Sequence, residues 1–262
     1  VSATWRVILD PDLPGRVNMA RDRALLEGVS AGTSRPTLRL YGWVPPCLSL
    51  GRHQPPSAVD PGFCRRHGLD MVRRPTGGRA VLHHLELTYA VVAALGRPPL
   101  PTNLQDAYRR LCGPLVLACT SLGIPAVLTA GEVNLRMPRP QSSEPCFKQP
   151  AAGEVVVGGR KLVGSASRSH RGAILQHGAI LLGWDGALQA GALGLADDRD
   201  LRPHVTTLAE QLGRLPTRGE LERVIVTGFA KALDLDLEPG ELTTVEAERA
   251  RELEGDPALR VE

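Results

Sequence analysis

Two stretches hold residues whose types and spacing suit covalent or anion-directed chemistry. The first is Arg73-Arg74-Pro75-Thr76-Gly77-Gly78-Arg79-Ala80-Val81-Leu82-His83. Paired glycines let a backbone approach a ligand closely while flanking guanidinium groups offer charge. The same residues also make an ordinary hairpin turn with surface arginines. The lysine and following hydroxyl residue of a phosphate-binding loop are missing. The second stretch runs from Cys146 to Gly178. Segment 136–145, with three prolines and two serines, reads as an exposed loop delivering the chain to Cys146. Lys161-Leu162-Val163-Gly164-Ser165-Ala166 follows a Gly158-Gly159 turn, and Gln176-His177-Gly178 falls in the next strand. A thiol with a cation nearby is an activated nucleophile, because the cation stabilises the thiolate. A thiol is equally a small buried apolar group, the usual fate of cysteine. His177 reads two ways as well, as catalyst or as satisfied core histidine. His83 and His84, adjacent in a strand, point to opposite faces and cannot share one metal, so no metal site is expected.

Of the 31 basic residues only Lys148, Lys161 and Lys231 are lysines. Coding bias accounts for such a skew. Arginine keeps its proton in a protein, whereas a partly buried lysine can lose it, which draws attention to Lys161. The five cysteines (Cys47, Cys64, Cys112, Cys119, Cys146) are odd in number and include no Cys-x-x-Cys pair. Neither a disulfide framework nor a zinc knuckle is supported, and a cytoplasmic setting is expected.

The elements that must position these residues follow from periodicity. Segment 18–29 reads as a helix with Met19, Leu25, Leu26 and Val29 on one side. Strands are expected at 37–41, 47–50 and 70–73, with a short helix over 58–67 and one extended stretch over 80–93. The clearest helix is 104–122, with Thr102 and Gln105 placed as a capping box. A strand near 126–128 precedes a hairpin of 154–157 and 160–163 about Gly158-Gly159, and 173–182 makes another strand. Thr217 and Glu220 form a second capping box for a helix to about 233, and 245–253 is a further helix. Helices and strands do not alternate regularly, so the class is α+β.

With 262 residues, 42% apolar and 23% charged, the chain can build a substantial core. Its longest apolar runs are far too short for a membrane span of roughly 20 residues, and the N-terminus lacks a signal pattern. A net charge of +3 is too mild for a nucleic-acid footprint.

Together the two stretches resemble the biotin/lipoate protein ligase and octanoyltransferase superfamily. Segment 73–83 is similar to its arginine–arginine–x–threonine–glycine–glycine signature ending in histidine. Gly159-Arg160-Lys161-Leu162-Val163-Gly164-Ser165-Ala166 and Gln176-His177-Gly178-Ala179-Ile180-Leu181 resemble its second signature. Asn18-Met19-Ala20, Asp22, Ala24-Leu25-Leu26 and Leu38-Arg39-Leu40-Tyr41-Gly42-Trp43 fit its N-terminal helix and strand. Within the superfamily the resemblance is to the Gram-positive-type octanoyltransferase branch, distinguished by a Cys-Phe pair ahead of the lysine, here Cys146-Phe147 before Lys161. Arg79 stands where many ATP-using ligases have a third glycine.

The resemblance implies a mixed, largely antiparallel sheet flanked by helices, like the catalytic domains of class II aminoacyl-tRNA synthetases and biotin ligases. It implies a catalytic domain over 1–235 and a short helical extension over 236–262. The implied activity is transfer of octanoyl from octanoyl-acyl carrier protein to a lysine of glycine cleavage H protein or a lipoyl domain, the first step of lipoate biosynthesis. The protein would be a cytoplasmic monomer using no cofactor and no ATP, with no nucleic-acid or membrane partner. Cys146 would carry the acyl group as a thioester, and Lys161 would lower its pKa and shuttle the proton. The substrate would meet Arg74, Thr76-Gly77-Gly78-Arg79, His83, Gly164-Ser165-Ala166 and His177-Gly178. Among these, the 164–166 backbone and His83 or His177 would steady the oxyanion, and Ala80, Leu82 and Val163 would line the acyl tunnel. Three departures stand out. Pro150-Ala151-Ala152-Gly153-Glu154 replaces the branch's proline–serine–x–tyrosine–glutamate, Arg23 replaces an acidic residue, and His84 replaces an aspartate. The alternatives are an octanoyl amidotransferase acting between lipoyl domains, an ATP-dependent lipoate–protein ligase, and a non-catalytic acyl-carrier-binding protein.

Overall fold

A computed structural model describes residues 2–130 and 153–261. Strand β1 (Ala3–Leu13) leads into helix α1 (Gly15–Ala31), then β2 (Thr37–Trp43), β3 (Cys47–Leu50), α2 (Pro61–Arg66) and β4 (Asp70–Arg73). The chain continues through β5 (Val81–His83), β6 (Glu86–Ala94), α3 (Leu104–Ser121) and β7 (Val127–Leu128). After the undescribed segment come β8 (Val155–Val157), β9 (Arg160–His170), β10 (Ala173–Leu181) and α4 (Gly186–Ala192). Last are α5 (Leu208–Leu212), α6 (Arg218–Leu233), β11 (Leu235–Pro239) and α7 (Thr244–Glu254).

The strands form an eight-stranded sheet in the order β11-β1-β2-β6-β10-β9-β8-β7 and a three-stranded sheet in the order β4-β3-β5. Among the described residues, only the β11–β1 and β1–β2 pairings of the large sheet are parallel. The expected mixed, largely antiparallel α+β class holds. Alternation along β6 shows how the sheet is sandwiched. Leu87, Tyr89 and Val91 join the apolar layer shared with α3 and α6, while Ala90 and Val92 join the layer shared with α1 and α7. A third cluster lies under the small sheet, with Leu48, Leu50 and Leu82 against α2 and α4.

Several local expectations need correcting. The extended stretch over 80–93 is two strands in two different sheets. Leu85 takes φ +51°, and its carbonyl accepts from the Leu182 and Gly183 amides at the end of β10. Thr102 does not cap α3. Asn103 does, accepting from the amides of Gln105 (2.8 Å) and Asp106 (3.2 Å), because the helix starts at Leu104. Thr217 caps α6 through the Glu220 amide, but the Glu220 carboxylate pairs with Arg214, so the reciprocal half of that box is diverted. The complete box is at α7, between Thr243 and Glu246. Strand β9 runs on to His170, well past the expected end at 163. The hairpin before it turns on Gly158 and Gly159, with φ +56° and +78°, as a two-residue turn with positive φ at both positions requires. Segment 236–262 contributes most of an edge strand of the large sheet as well as a helix. Within it, Glu246 accepts from Arg6 through both carboxylate oxygens at 2.7 and 2.8 Å.

Candidate active site

A cavity opens where the small sheet faces the large one. Its walls come from Met19 of α1, Tyr41 and Trp43 of β2, Ser49 of β3, and Val81 and His83 of β5, with Arg74 and Gly78 between strands. Thr88 of β6, Gly164-Ser165-Ala166 of β9 and His177-Gly178-Ala179 of β10 complete it. Of the residues expected at the site, Arg74, Gly78, His83, Gly164, Ser165, Ala166, His177 and Gly178 therefore meet at one cavity. Thr76, Gly77, Arg79 and Lys161 lie outside its walls. Cys146, and with it the loop over 136–145 and the altered 150–152 segment, lies outside the described residues. Ala80, Leu82 and Val163 do not line the cavity. In β5 the odd-numbered side chains face it and Leu82 turns into the small-sheet core, while Val163 packs into the α3/α6 layer.

The glycine–arginine loop is held from within. Arg74 donates from Nη1 to the Ser49 carbonyl (3.0 Å) and hydroxyl (3.1 Å), and from Nη2 to the carbonyls of Gly77 and Arg79 (both 2.7 Å). This guanidinium is a clamp on the loop. Gly78 takes φ +90°, and its carbonyl lies 1.9 Å from where a Cβ on Gly51 would sit. The close approach that the paired glycines permit is thus backbone on backbone.

Thr76 connects this loop to the large sheet. Its hydroxyl is 2.6 Å from His177 Nε2, and His177 Nδ1 lies 3.1 Å from Asp22 Oδ2. Asp22 also accepts from Arg39 Nη1 and the Tyr41 hydroxyl, each at 2.8 Å. Burial pushes the Asp22 carboxyl up, but the His177 hydrogen bond, Arg39 and Tyr41 together hold it below the usual carboxylate range. An ionised Asp22 accepts from Nδ1–H, so in the neutral ring Nε2 accepts from Thr76. Both ring nitrogens are engaged, and His177 ties the loop to α1 and the large sheet.

His83 sits in a second chain of bonds. Its Nε2 is 2.8 Å from the Ser49 hydroxyl and its Nδ1 3.3 Å from Glu86 Oε1, with the ring stacked on Trp43 at 3.9 Å. Burial, then Arg74 and His177, push the imidazole well below its ordinary value, so it is neutral. Burial raises the Glu86 carboxyl to about 8 despite its bond from Thr88, so it keeps its proton at neutral pH. Ringed by Met19, Tyr41, Trp43 and a neutral imidazole, this part of the cavity suits an apolar chain.

A β-bulge turns Lys161 toward the back of the Gly164 wall. Val155 pairs with Val163 but Val156 pairs with Lys161, so Leu162 is an extra residue in β9. The extra residue reverses the alternation, so Lys161 faces away from the side of Val163. Its Cδ lies 3.6 Å from the position of a Cβ on Gly164, at the cavity wall. Its Nζ is 2.8 Å from Glu154 Oε2, with side-chain exposures of 1% and 5%.

Sequence reasoning assigned no role to Asp22, Arg39, Ser49, Glu86 or Glu154. A usable signal existed for two of them. Arg39 interrupts the apolar Leu38-Arg39-Leu40, and Asp22 lies three residues after Met19 on the apolar side of α1.

Residues 14–230 match the family described as the lipoyl protein ligase A/B catalytic domain. The chain is 40% identical to the octanoyltransferase LipM of Symbiobacterium thermophilum, an alignment covering 97% of this chain and 95% of that protein. It is 41% identical to the octanoyltransferase LipM of Kyrpidia tusciae, covering 95% and 94%. In fold it is similar to lipoate-protein ligase A bound with ATP (TM-score 0.80, 24% identity, 97% of this chain and 96% of that one). It is also similar to a chain in the structure of a bipartite lipoate protein ligase and its E2 lipoyl domain from Thermoplasma acidophilum (TM-score 0.79, 23% identity, 98% and 94%).

Proposed function

Because the chain belongs to the lipoyl protein ligase A/B catalytic domain family, we propose that it is an octanoyltransferase. It moves octanoyl from octanoyl-acyl carrier protein to a lysine of a lipoyl-accepting protein, through a thioester on Cys146. The observation that carries this reading is the identity of 40% and 41%, over nearly the whole of both chains, with two octanoyltransferases. In this reading the enzyme is a cytoplasmic monomer that needs no ATP.

Mechanistically, the Cys146 thiolate attacks the donor thioester and the acyl–sulfur bond to the carrier breaks. The departing thiolate takes a proton from the Lys161 ammonium. One thioester has replaced another, so the step needs no energy input. The amine of the acceptor lysine then attacks the acyl-cysteine and a C–N bond forms. Its proton passes to Lys161, and Cys146 leaves as thiolate. The apolar cavity favours a medium chain by roughly 0.8 kcal/mol per buried methylene.

Intact-protein mass spectrometry with octanoyl-acyl carrier protein and no ATP tests this. The expected result is a hydroxylamine-labile octanoyl adduct on the wild type, absent from Cys146→Ser, that passes to apo H protein or a lipoyl domain. Acceptor labelling that needs ATP and free octanoate, with no adduct, would overturn it in favour of a ligase.

A further inference from the structure

The cation on which that mechanism turns has a fixed anionic neighbour. Lys161 Nζ and Glu154 Oε2 are 2.8 Å apart, with both side chains nearly sealed from solvent. Resting on the reading of Cys146 and Lys161 just given, we infer that Glu154 is a positioning residue of the transfer reaction. It keeps Lys161 an ammonium whenever Cys146 must be a thiolate, and it fixes where Nζ sits behind the Gly164 wall.

Three observations carry this. First, burial alone drives a lysine to shed its proton, and an adjacent carboxylate reverses that preference. Second, Glu154 is itself anchored. Its amide donates to the Thr129 hydroxyl (2.9 Å) and its carbonyl accepts from the Thr129 amide (2.9 Å), so the carboxylate starts from a fixed backbone. Third, the pair depends on the bulge at Leu162. With regular alternation Lys161 would share the side of Val163 and Val155, inside the apolar layer against α3 and α6. A buried ion pair adds little stability over apolar residues of similar size, so stability alone is a weak reason for such a contrivance.

Glu154 also faces two titratable groups of α3, Tyr108 and Cys112. Burial raises both, the Cys112 thiol to about 12, so both keep their protons and neither is an anion competing with Glu154 for the ammonium. From the opposite side, the Thr206 amide donates to the Lys161 carbonyl (2.9 Å), and Val205 bridges to Lys161; neither side chain titrates.

In the first half-reaction the Lys161 ammonium gives its proton to the carrier thiolate and becomes an amine beside the Glu154 carboxylate. In the second it regains a proton from the attacking amine. Glu154 favours that return and exchanges no proton itself.

The test uses full-length Glu154→Gln, Glu154→Asp and Lys161→Met. Two pH profiles are read: kcat for octanoyl transfer and the rate of Cys146 alkylation by iodoacetamide. In Glu154→Gln the alkaline limb of kcat should move to lower pH by about one unit or more. The alkylation profile of Cys146 should move to higher pH, because the thiolate loses its counter-cation. Glu154→Asp should restore both profiles toward wild type even if kcat is reduced. A fall in kcat or thermal stability with both profiles unmoved would make Glu154 merely structural and overturn the inference. If Lys161→Met itself leaves transfer and alkylation as in wild type, the reading of Lys161 fails instead. Should Glu154→Gln not fold, the Glu154→Asp profiles decide, since the shortened side chain should lie between wild type and Lys161→Met only if the pair matters.

Discussion

Alanine placed first at Gly178 and then at Gly164, across the β9–β10 ladder, tests which small residues serve the fold and which leave room for substrate. At Gly178 a Cβ would lie 2.5 Å from the Gly164 carbonyl oxygen, 2.7 Å from Ser165 Oγ and 2.8 Å from a Tyr89 ring carbon. A backbone oxygen in a ladder cannot swing aside, and the Tyr89 ring is buried. The overpacking cost should be near the upper end of the usual range, about 3 kcal/mol. For a chain of this size that is a fall in Tm of roughly 6–12 °C. At Gly164 the nearest atom is Lys161 Cδ at 3.6 Å, an ordinary contact. Gly164→Ala should leave Tm unchanged or raise it slightly, through loss of freedom in the unfolded chain. Its methyl, however, enters the cavity wall. Each methylene of the acyl chain pushed out loses about 0.8 kcal/mol, roughly fourfold in KM. The assays are thermal unfolding of both variants and transfer kinetics with hexanoyl, octanoyl and decanoyl donors. Equal Tm losses, or a Gly164→Ala enzyme with unchanged chain-length preference, would refute the assignment of that wall to substrate.

Asp22→Asn should cost about 1.5–3 kcal/mol in denaturant unfolding, because it removes one of the two carboxylates that answer the buried Arg39, leaving Asp10 on Nε. The folded pKa of Asp22 is lowered, so its contribution is present above the unfolded value and lost as pH falls through the folded one. The variant should therefore lack part of the wild type's acid-dependent loss of stability. Glu86 has the opposite sign. Its pKa rises from 4.5 to about 8, so its contribution is full below 4.5 and is lost as pH rises through 8. Relative to Glu86→Gln, wild-type unfolding midpoints should decline across that window; parallel curves would sink the claim of a protonated carboxyl. Glu246, lowered to about 2, stabilises above 4.5 and loses its effect as pH falls toward 2. Glu246→Gln should be destabilised at neutral pH and converge with wild type in acid, as read by urea midpoints.

The residues with unusual chemistry were legible because they cluster in short runs, and eight of the named site positions do meet at one cavity. The bonds that organise them were not legible. Asp22 and His177 are 155 positions apart, and nothing in local spacing links them. The bulge at Leu162 is invisible for a different reason. Leu162 and Val163 are both apolar and both buried, so periodicity offers no clue to which one is extra. The division of 80–93 between two sheets turns on a positive φ at Leu85, where neither glycine nor proline marks the break. Strands β1 and β11 escaped notice because Arg6, Asp10 and Asp12 in one, and Asp236 and Glu238 in the other, dilute the apolar pattern expected of a strand.

The pairing of those two strands has a consequence for how the molecule is made. Ala3 lies beside Leu235, and Arg6 finds its carboxylate 240 residues later at Glu246. A chain emerging from the ribosome can close β1 against β2 early. It cannot cover the other edge of β1 until residues 235–239 have appeared, or neutralise Arg6 until Glu246 has. A product stopped before Leu235 leaves the edge of β1 bare, and one stopped short of Glu246 leaves the Arg6 guanidinium without its carboxylate, the kinds of feature that chaperones and proteases act upon.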